Sequence, residues 1–238
     1  LNVLPNIYGE FKVTDKIFLI QAGLVGTITK NTYQHLTTIN PWLQTISQQQ
    51  NTKETELYGG LKATVGKHFS FSAKASWITF HNMPFFINDT ALGNTFTISN
   101  DRRVNDFRIH GDMSFINQDK FTITGGLTFN GYNGMKDNER AWGTVPVEIT
   151  GSLRWWAFKQ VLLKSDFWAF SSSPYLLKNS SKNTLGGGAD LSIGAELAIT
   201  KKISVWMDVN NLFNNKYERW KNYPVYGLNV LGGAIIRF

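Results

Sequence analysis

Apolar and polar residues alternate at period two along most of this chain, and helical periodicity is scarce. Leu57, Leu61, Ala63 and Val65 oppose Glu56, Tyr58, Lys62 and Thr64. Phe107, Ile109, Met113 and Phe115 oppose Arg108, His110, Asp112 and Ser114. Val147, Ile149, Leu153 and Trp155 oppose Glu148, Thr150, Ser152 and Arg154, and Leu191, Ile193, Ala195 and Leu197 oppose Asp190, Ser192 and Glu196. Successive strand side chains point to opposite faces, so each run predicts a strand with one apolar and one polar side. About eleven such strands emerge, many of about ten residues or more. Soluble strands cluster near five or six residues, whereas a tilted membrane strand needs ~9–11.

The connections between these strands fall into two kinds. The tight ones are Thr14-Asp15-Lys16, Gly66-Lys67-His68, Asn117-Gln118-Asp119-Lys120, Lys159-Gln160 and Thr200-Lys201-Lys202. The long ones run over about 29–52, 81–105, 131–144, 171–187 and 214–227. The two kinds alternate along the chain. An up-and-down meander with that rule carries all its short turns at one end, the arrangement of outer-membrane barrels. The turn at Lys159-Gln160 predicts a register that sets Arg154 opposite Asp166 and Trp156 opposite Lys164.

The two faces differ in polarity throughout. The polar face carries both signs of charge, among them Glu10, Lys12, Lys62, Lys74, Arg108, Asp112, Glu148 and Lys164. Arg154, Asp166, Glu196 and Asp208 are the lumen charges this pattern predicts. The other face is almost free of charge. Phe11, Phe18, Phe69, Phe71, Phe115 and Phe121 lie on it near the short turns, and Trp77, Phe107, Phe129 and Phe167 toward the long loops. Two aromatic bands at matched depth suit the two interfaces of a membrane.

Composition narrows the picture. With 42% hydrophobic and 17% charged residues the chain is not a disordered one, and 14% aromatics suits an amphipathic interface. It has no cysteine, which excludes disulfides, thiol nucleophiles and thiolate metal sites. The net charge is +7, but lysines and arginines are dispersed and form no run. An anionic outer leaflet is an equally good partner for such a basic rim, and no nucleic acid is expected. No apolar stretch approaches the ~20 residues of a spanning helix.

The last residues, Leu228 to Phe238, alternate again and stop on an aromatic. Gly233, Ile236 and Phe238 fit the assembly signal of a barrel's final strand, while Leu231 stands where a polar residue is usual. Just upstream, Asn210, Asn211, Leu212, Phe213, Lys216 and Tyr217 fall in a strand that runs into Asn-Leu-Phe and then Lys-Tyr. This stretch resembles the penultimate strand and following loop of TonB-dependent outer-membrane receptors. Tyr223 to Gly227 resembles the approach to their last strand. The resemblance is clear over roughly the last 40 residues and architectural elsewhere.

That resemblance implies an all-β fold: an antiparallel up-and-down transmembrane β-barrel in the bacterial outer membrane, with the strands here as the C-terminal half of a 22-stranded barrel. Residues 1–238 then form one partial barrel domain, without the N-terminal plug. It implies import of a scarce nutrient: an iron chelate, cobalamin or a glycan. The implied partners are membrane lipid and lipopolysaccharide, the barrel-assembly machinery, the missing plug and strands, and the inner-membrane energy-coupling complex reached through the plug. A plug-less passive pore, or a smaller structural barrel, is the alternative. As part of a receptor, the chain is expected to leave its first strand, near Asn6–Val13, unpaired with the last.

Catalytic chemistry finds little support. His35, His68, His81 and His110 show no metal-ligand spacing, and no cofactor is expected. Ser171-Ser172-Ser173 has no nearby His and Asp. His110 with Asp112 on one face is the nearest approach to an active site, and no enzyme is expected. Gly59-Gly60 and Gly186-Gly187-Gly188 precede no helix, so they are not phosphate loops. Trp42, Trp142, Trp220 and Tyr223 fall in the long loops, where they either contact a ligand or pack the loops together, and packing is the favoured reading.

Overall fold

The computed structural model describes residues 3–14, 18–46, 50–89, 93–117, 120–177 and 182–238. The strands are β1 (Asn6–Thr14), β2 (Phe18–Thr29), β3 (Thr52–Val65), β4 (Phe69–His81), β5 (Met83–Asn88), β6 (Phe96–Asp101), β7 (Val104–Asn117), β8 (Phe121–Asn133), β9 (Val147–Phe158), β10 (Val161–Phe170), β11 (Ser173–Leu176), β12 (Lys182–Leu185), β13 (Gly188–Ala198), β14 (Ile203–Asn210), β15 (Glu218–Trp220), β16 (Tyr223–Pro224) and β17 (Asn229–Ile236). One short helix, α1 (Tyr33–Ile39), interrupts them.

Eleven strands form one sheet in the order β1-β2-β3-β4-β7-β8-β9-β10-β13-β14-β17. Neighbours are antiparallel, so the sheet is a plain meander. The described tight turns all lie at one end: 66–68, 159–160 and 199–202. The turns at 15–17 and 118–119, also expected to be tight, fall outside the described residues. Gly66, at φ +63°, takes the left-handed conformation that the β3–β4 turn requires. The long connections, 30–51, 82–103, 134–146, 171–187 and 211–228, lie at the other end. They hold structure that period-two reading does not reach: α1 and the hairpins β5–β6, β11–β12 and β15–β16. The last loop begins at Asn211, three residues before its expected start.

The register confirms the two faces. One row across the polar face runs Lys62–Ser72–Asp112–Gly126–Thr150–Trp168–Asp190. A row across the apolar face runs Leu61–Ala73–Gly111–Leu127–Ile149. Large apolar side chains of that face stand open, with Leu57 59% and Ile236 60% exposed. The wall is therefore not packed on a core. The buried hydrophobic clusters lie at the loop end instead. One joins Ile78, Phe80 and Val104 of the wall to Phe85, Ala141 and Trp142, and the other joins Leu36, Leu43, Phe86, Phe96 and Trp220.

One expected register is corrected. Val161 pairs with Phe158, but Leu162 then pairs with Trp156, so Ala157 bulges out of the ladder. Arg154 consequently faces Lys164 rather than Asp166, and Trp156 faces Leu162 rather than Lys164. Arg154 still reaches Asp166 diagonally on the same face, at 2.8 Å. β1 and β17 stand at the two ends of the strand order, and no pairing joins them among the described residues.

The face assignment can be tested at adjacent residues of β9. Leu153→Arg is expected to lower stability in lipid bilayers by roughly 2–4 kcal/mol, and Ser152→Arg by far less, because only the first puts a charge on the lipid side. Equal losses in urea titrations of bilayer-folded protein would refute the assignment.

Candidate functional site: a loop crown over a polar wall

The polar face is an array of paired charges held by strand neighbours. Lys74 meets Glu56 at 2.7 Å and lies over the Tyr58 ring, while Ser76 donates to the same carboxylate. Arg108 donates to Asn130 and Asp106, at 2.8 and 3.1 Å. Trp168 donates its indole N–H to Glu148. Nearer the short turns, the four expected lumen charges all find partners: Arg154 with Asp166, Lys164 with Asp208 at 3.2 Å, and Arg237 with Glu196 at 3.5 Å. These last pairs are partly open to solvent, where such pairs stabilise by about 0–1 kcal/mol each.

His110 does meet Asp112, Nε2 to Oδ2 at 2.8 Å, and its Nδ1 lies 2.9 Å from Thr128 Oγ1. A hydroxyl, an imidazole and a carboxylate thus stand in line. The backbone around them is engaged in the β7–β8 ladder, which leaves no pair of free amides to hold an oxyanion.

Above this wall the five long loops are stitched into a crown. Gln44 donates its backbone N–H to Phe96, Phe86 to Trp142, and Gly143 to Pro174. Ser173 Oγ donates to the Thr144 carbonyl. The last loop reaches back over the others. Asn222 donates to the Gly93 carbonyl at 2.8 Å, Tyr223 donates its hydroxyl to Asn94, and Arg219 donates to Gly143. Trp220 packs edge-on against Phe86 and Phe96, both at 5.3 Å. Burial holds the Arg219 guanidinium below its ordinary pKa.

The four aromatics singled out in the loops divide into two pairs. Trp142 and Trp220 are 2% and 5% exposed and serve packing, with almost no surface left for a ligand. Trp42 and Tyr223 stack on each other at 3.8 Å near the surface, with Trp42 38% exposed.

The motif in the last loop has a mechanical reading. Asn211 is buried at φ +51°, a conformation asparagine tolerates better than most residues. Its side chain donates to the carbonyls of Asn215 and Tyr226 and accepts from the Asn215 N–H, and its own N–H donates to Asp190. Tyr217 packs on Phe170 and directs its hydroxyl to Asp190 at 3.4 Å; burial, with the Asp190 charge beside it, pushes its pKa up to about 12. Asn210 donates to Asn229 across β14 and β17, and Leu212 donates its N–H to Leu191. Phe213 is 54% exposed and Lys216 is exposed. The motif therefore clamps the start and end of the loop to the wall.

Of the assembly-signal residues, Gly233 lies on the polar face opposite Trp206, where a Cβ would come within 3.0 Å of the indole. Ile236 lies on the apolar side, opposite Ile203, and Ile236 and Phe238 are both exposed.

A feature missed by the sequence pattern is Asp101, at the end of β6. Its carboxylate, fully buried, accepts the backbone N–H groups of Arg103, Lys136, Asp137 and Asn138, at 2.8–3.0 Å. Burial alone would raise its pKa, but these four donors outweigh it and hold the carboxyl below its usual range. Nothing in the alternation signals this clamp, because three of its four partners are main-chain groups of another loop.

No family model and no curated protein matches the sequence. Solved structures do. The copper transporter OprC superposes with a TM-score of 0.67 at 14% identity, over 97% of this chain and 39% of that one. The FrpB iron transporter from Neisseria meningitidis gives 0.67 at 14%, over 96% and 38%. The ferric-catecholate import receptor Fiu from E. coli K12 gives 0.71 at 11%, over 97% and 34%. The chain thus spans between a third and two fifths of their length. The likeness is one of fold, that of part of a TonB-dependent receptor barrel.

Two outcomes follow from this geometry. A depressed carboxyl pKa stabilises above its unfolded value, near 3.9, and the contribution is lost only as pH falls through the lower folded value. The amide proton shifts of Lys136, Asp137 and Asn138 should therefore stay constant down to about pH 4, move only in stronger acid, and lose that transition in Asp101→Asn. Separately, Gly233→Val should impair folding, and Trp206→Ala should restore it in the double variant. Failure of that rescue would mean that Gly233 is needed for something other than room for the indole.

Proposed function

We propose that this chain is the C-terminal barrel portion of an outer-membrane receptor that imports a scarce nutrient with energy supplied from the inner membrane. The observation that carries it is the match of nearly the whole chain to the walls of receptors and transporters, with lumen polarity and sorted loops to go with it. A sheet with two unjoined edges also agrees, since edge strands in lipid leave backbone groups unsatisfied until further strands cover them. Those strands and a plug would come from the rest of a longer protein.

The similar structures are a copper transporter, an iron transporter and a ferric-catecholate import receptor. An iron chelate is accordingly the cargo class we favour over cobalamin or a glycan. The exposed face of Trp42, which stacks on Tyr223, is the ligand contact we assign in the crown, since it offers a flat surface to a catechol ring of the chelate.

Energised import and passive diffusion separate in one experiment. Cells relying on the full-length protein should take up a labelled ferric catecholate saturably, and a protonophore should abolish uptake. Uptake that rises linearly with concentration and survives the protonophore would identify a passive pore instead.

A further inference from the structure

Two asparagine–glycine pairs follow one another where β8 leaves the wall, Asn130-Gly131 and Asn133-Gly134. Before a glycine, an asparagine is open to attack by the chain itself, because no side chain shields the next amide nitrogen. That nitrogen bonds to the asparagine Cγ and closes a cyclic imide. The Cγ–Nδ2 bond breaks, and Nδ2 leaves as ammonia with the proton of the glycine amide. Water then opens the ring at either carbonyl, which leaves aspartate or isoaspartate.

The fold treats the two pairs differently. Asn130 is half-buried, its Oδ1 accepts from Arg108 Nε at 2.8 Å, and its backbone N–H donates to Pro146 at 2.7 Å. Gly131 lies inside the ladder, paired with Phe107, so its nitrogen cannot turn on Asn130 until the strand opens. Asn133 is the last residue of β8 and is exposed. Its Nδ2 donates to the Gly131 carbonyl at 3.1 Å. Gly134 is exposed too, and no hydrogen bond holds its N–H among the described residues. Glycine is also required there. Its φ of +65° is left-handed, and a Cβ would come within 2.8 Å of Asn105 Nδ2. The neighbour that exposes Asn133 is thus fixed by the fold.

We infer that Asn133-Gly134 is a self-modifying site, where water slowly converts Asn133 to aspartate and isoaspartate and so loosens the loop that follows. Asn130-Gly131 is its protected counterpart. Three residues beyond Asn133 begin the backbone N–H groups of Lys136, Asp137 and Asn138 that the Asp101 carboxylate accepts. An isoaspartyl link adds a methylene to the main chain just before that clamp. The reaction needs only water and a free amide, so it is independent of any cargo.

The test uses the full-length protein folded in bilayers and kept in heavy-oxygen water at mildly alkaline pH, where the attacking amide loses its proton more readily. Digestion in ordinary water and sequencing by mass spectrometry follow. Asn133 should convert with heavy oxygen in the new carboxyl, at least about tenfold faster than Asn130, which must first lose its hydrogen bonds. In denaturant the two sites should convert at similar rates. Asn133→Gln should stay unconverted, since its longer side chain closes a less favourable ring. Amide hydrogen exchange at Lys136, Asp137 and Asn138 should be faster in the isoaspartyl fraction than in Asn133→Gln. Equal rates at the two sites in the folded protein would overturn the assignment. So would an intact Asn133 under conditions that convert it in denaturant, or aspartate that carries no heavy oxygen and arises only in digestion. Unchanged exchange at the three amides would overturn the loosening of the loop.

Discussion

A wall one sheet thick in hydrocarbon must satisfy every backbone N–H and C=O within itself, and the rest of this molecule follows from that constraint. Eleven strands joined only to their sequence neighbours meet it with the least chain. The side chains then have no interior to fill. That is why residues such as Leu57 and Ile236 stand largely open on the apolar face, an arrangement that would drive aggregation in a soluble protein. Burial, the usual source of stability, is moved to the loop end. Among the described residues, aromatic and aliphatic side chains from the loops and the adjoining strand ends close into clusters there.

Legibility in the sequence tracks the same division. The wall was readable because period two is imposed at every residue by two different solvents. Alternation located all eleven wall strands, and the sorting of turns gave their direction. Where a local irregularity intervened, the reading failed by a step. Ala157 bulges out, and Arg154 therefore stands opposite Lys164 instead of Asp166. The crown was not readable, because its order comes from contacts between loops far apart in sequence. Trp42 meets Tyr223 and Asp101 meets Lys136 through the fold, with no periodic spacing to announce either. The helix α1 illustrates the limit. It has only seven residues and buries only Leu36, too short for a helical period to emerge.

The terminal motifs gain a physical content that the resemblance alone did not supply. Asn211 serves as the joint between strand and loop because one side chain can accept a left-handed backbone and satisfy three main-chain groups. Aspartate at that position could not donate to the carbonyls of Asn215 and Tyr226, and a branched aliphatic residue would strain the backbone. Gly233 likewise answers to a neighbour, since the Trp206 indole occupies the space beside its Cα. The approach to the last strand is thus fixed by a polar clamp at Tyr226, and the strand itself by an aromatic contact at its middle.

The two ends of the polar face differ in how they hold charge. Near the short turns, charge pairs such as Arg154 and Asp166 are 39% and 56% exposed in their side chains, a wetted surface. Near the loops, Asp106 is fully buried beside Arg108, with one carboxylate oxygen lacking a partner, and Arg219 buries a guanidinium nitrogen in the same state. Leaving buried polar atoms unpaired costs about 1–3 kcal/mol each. The unpaired polar atoms thus coincide with the end of the wall where Trp220, Arg219 and Tyr223 lock the loops together, while the polar face near the short turns carries solvated charge pairs.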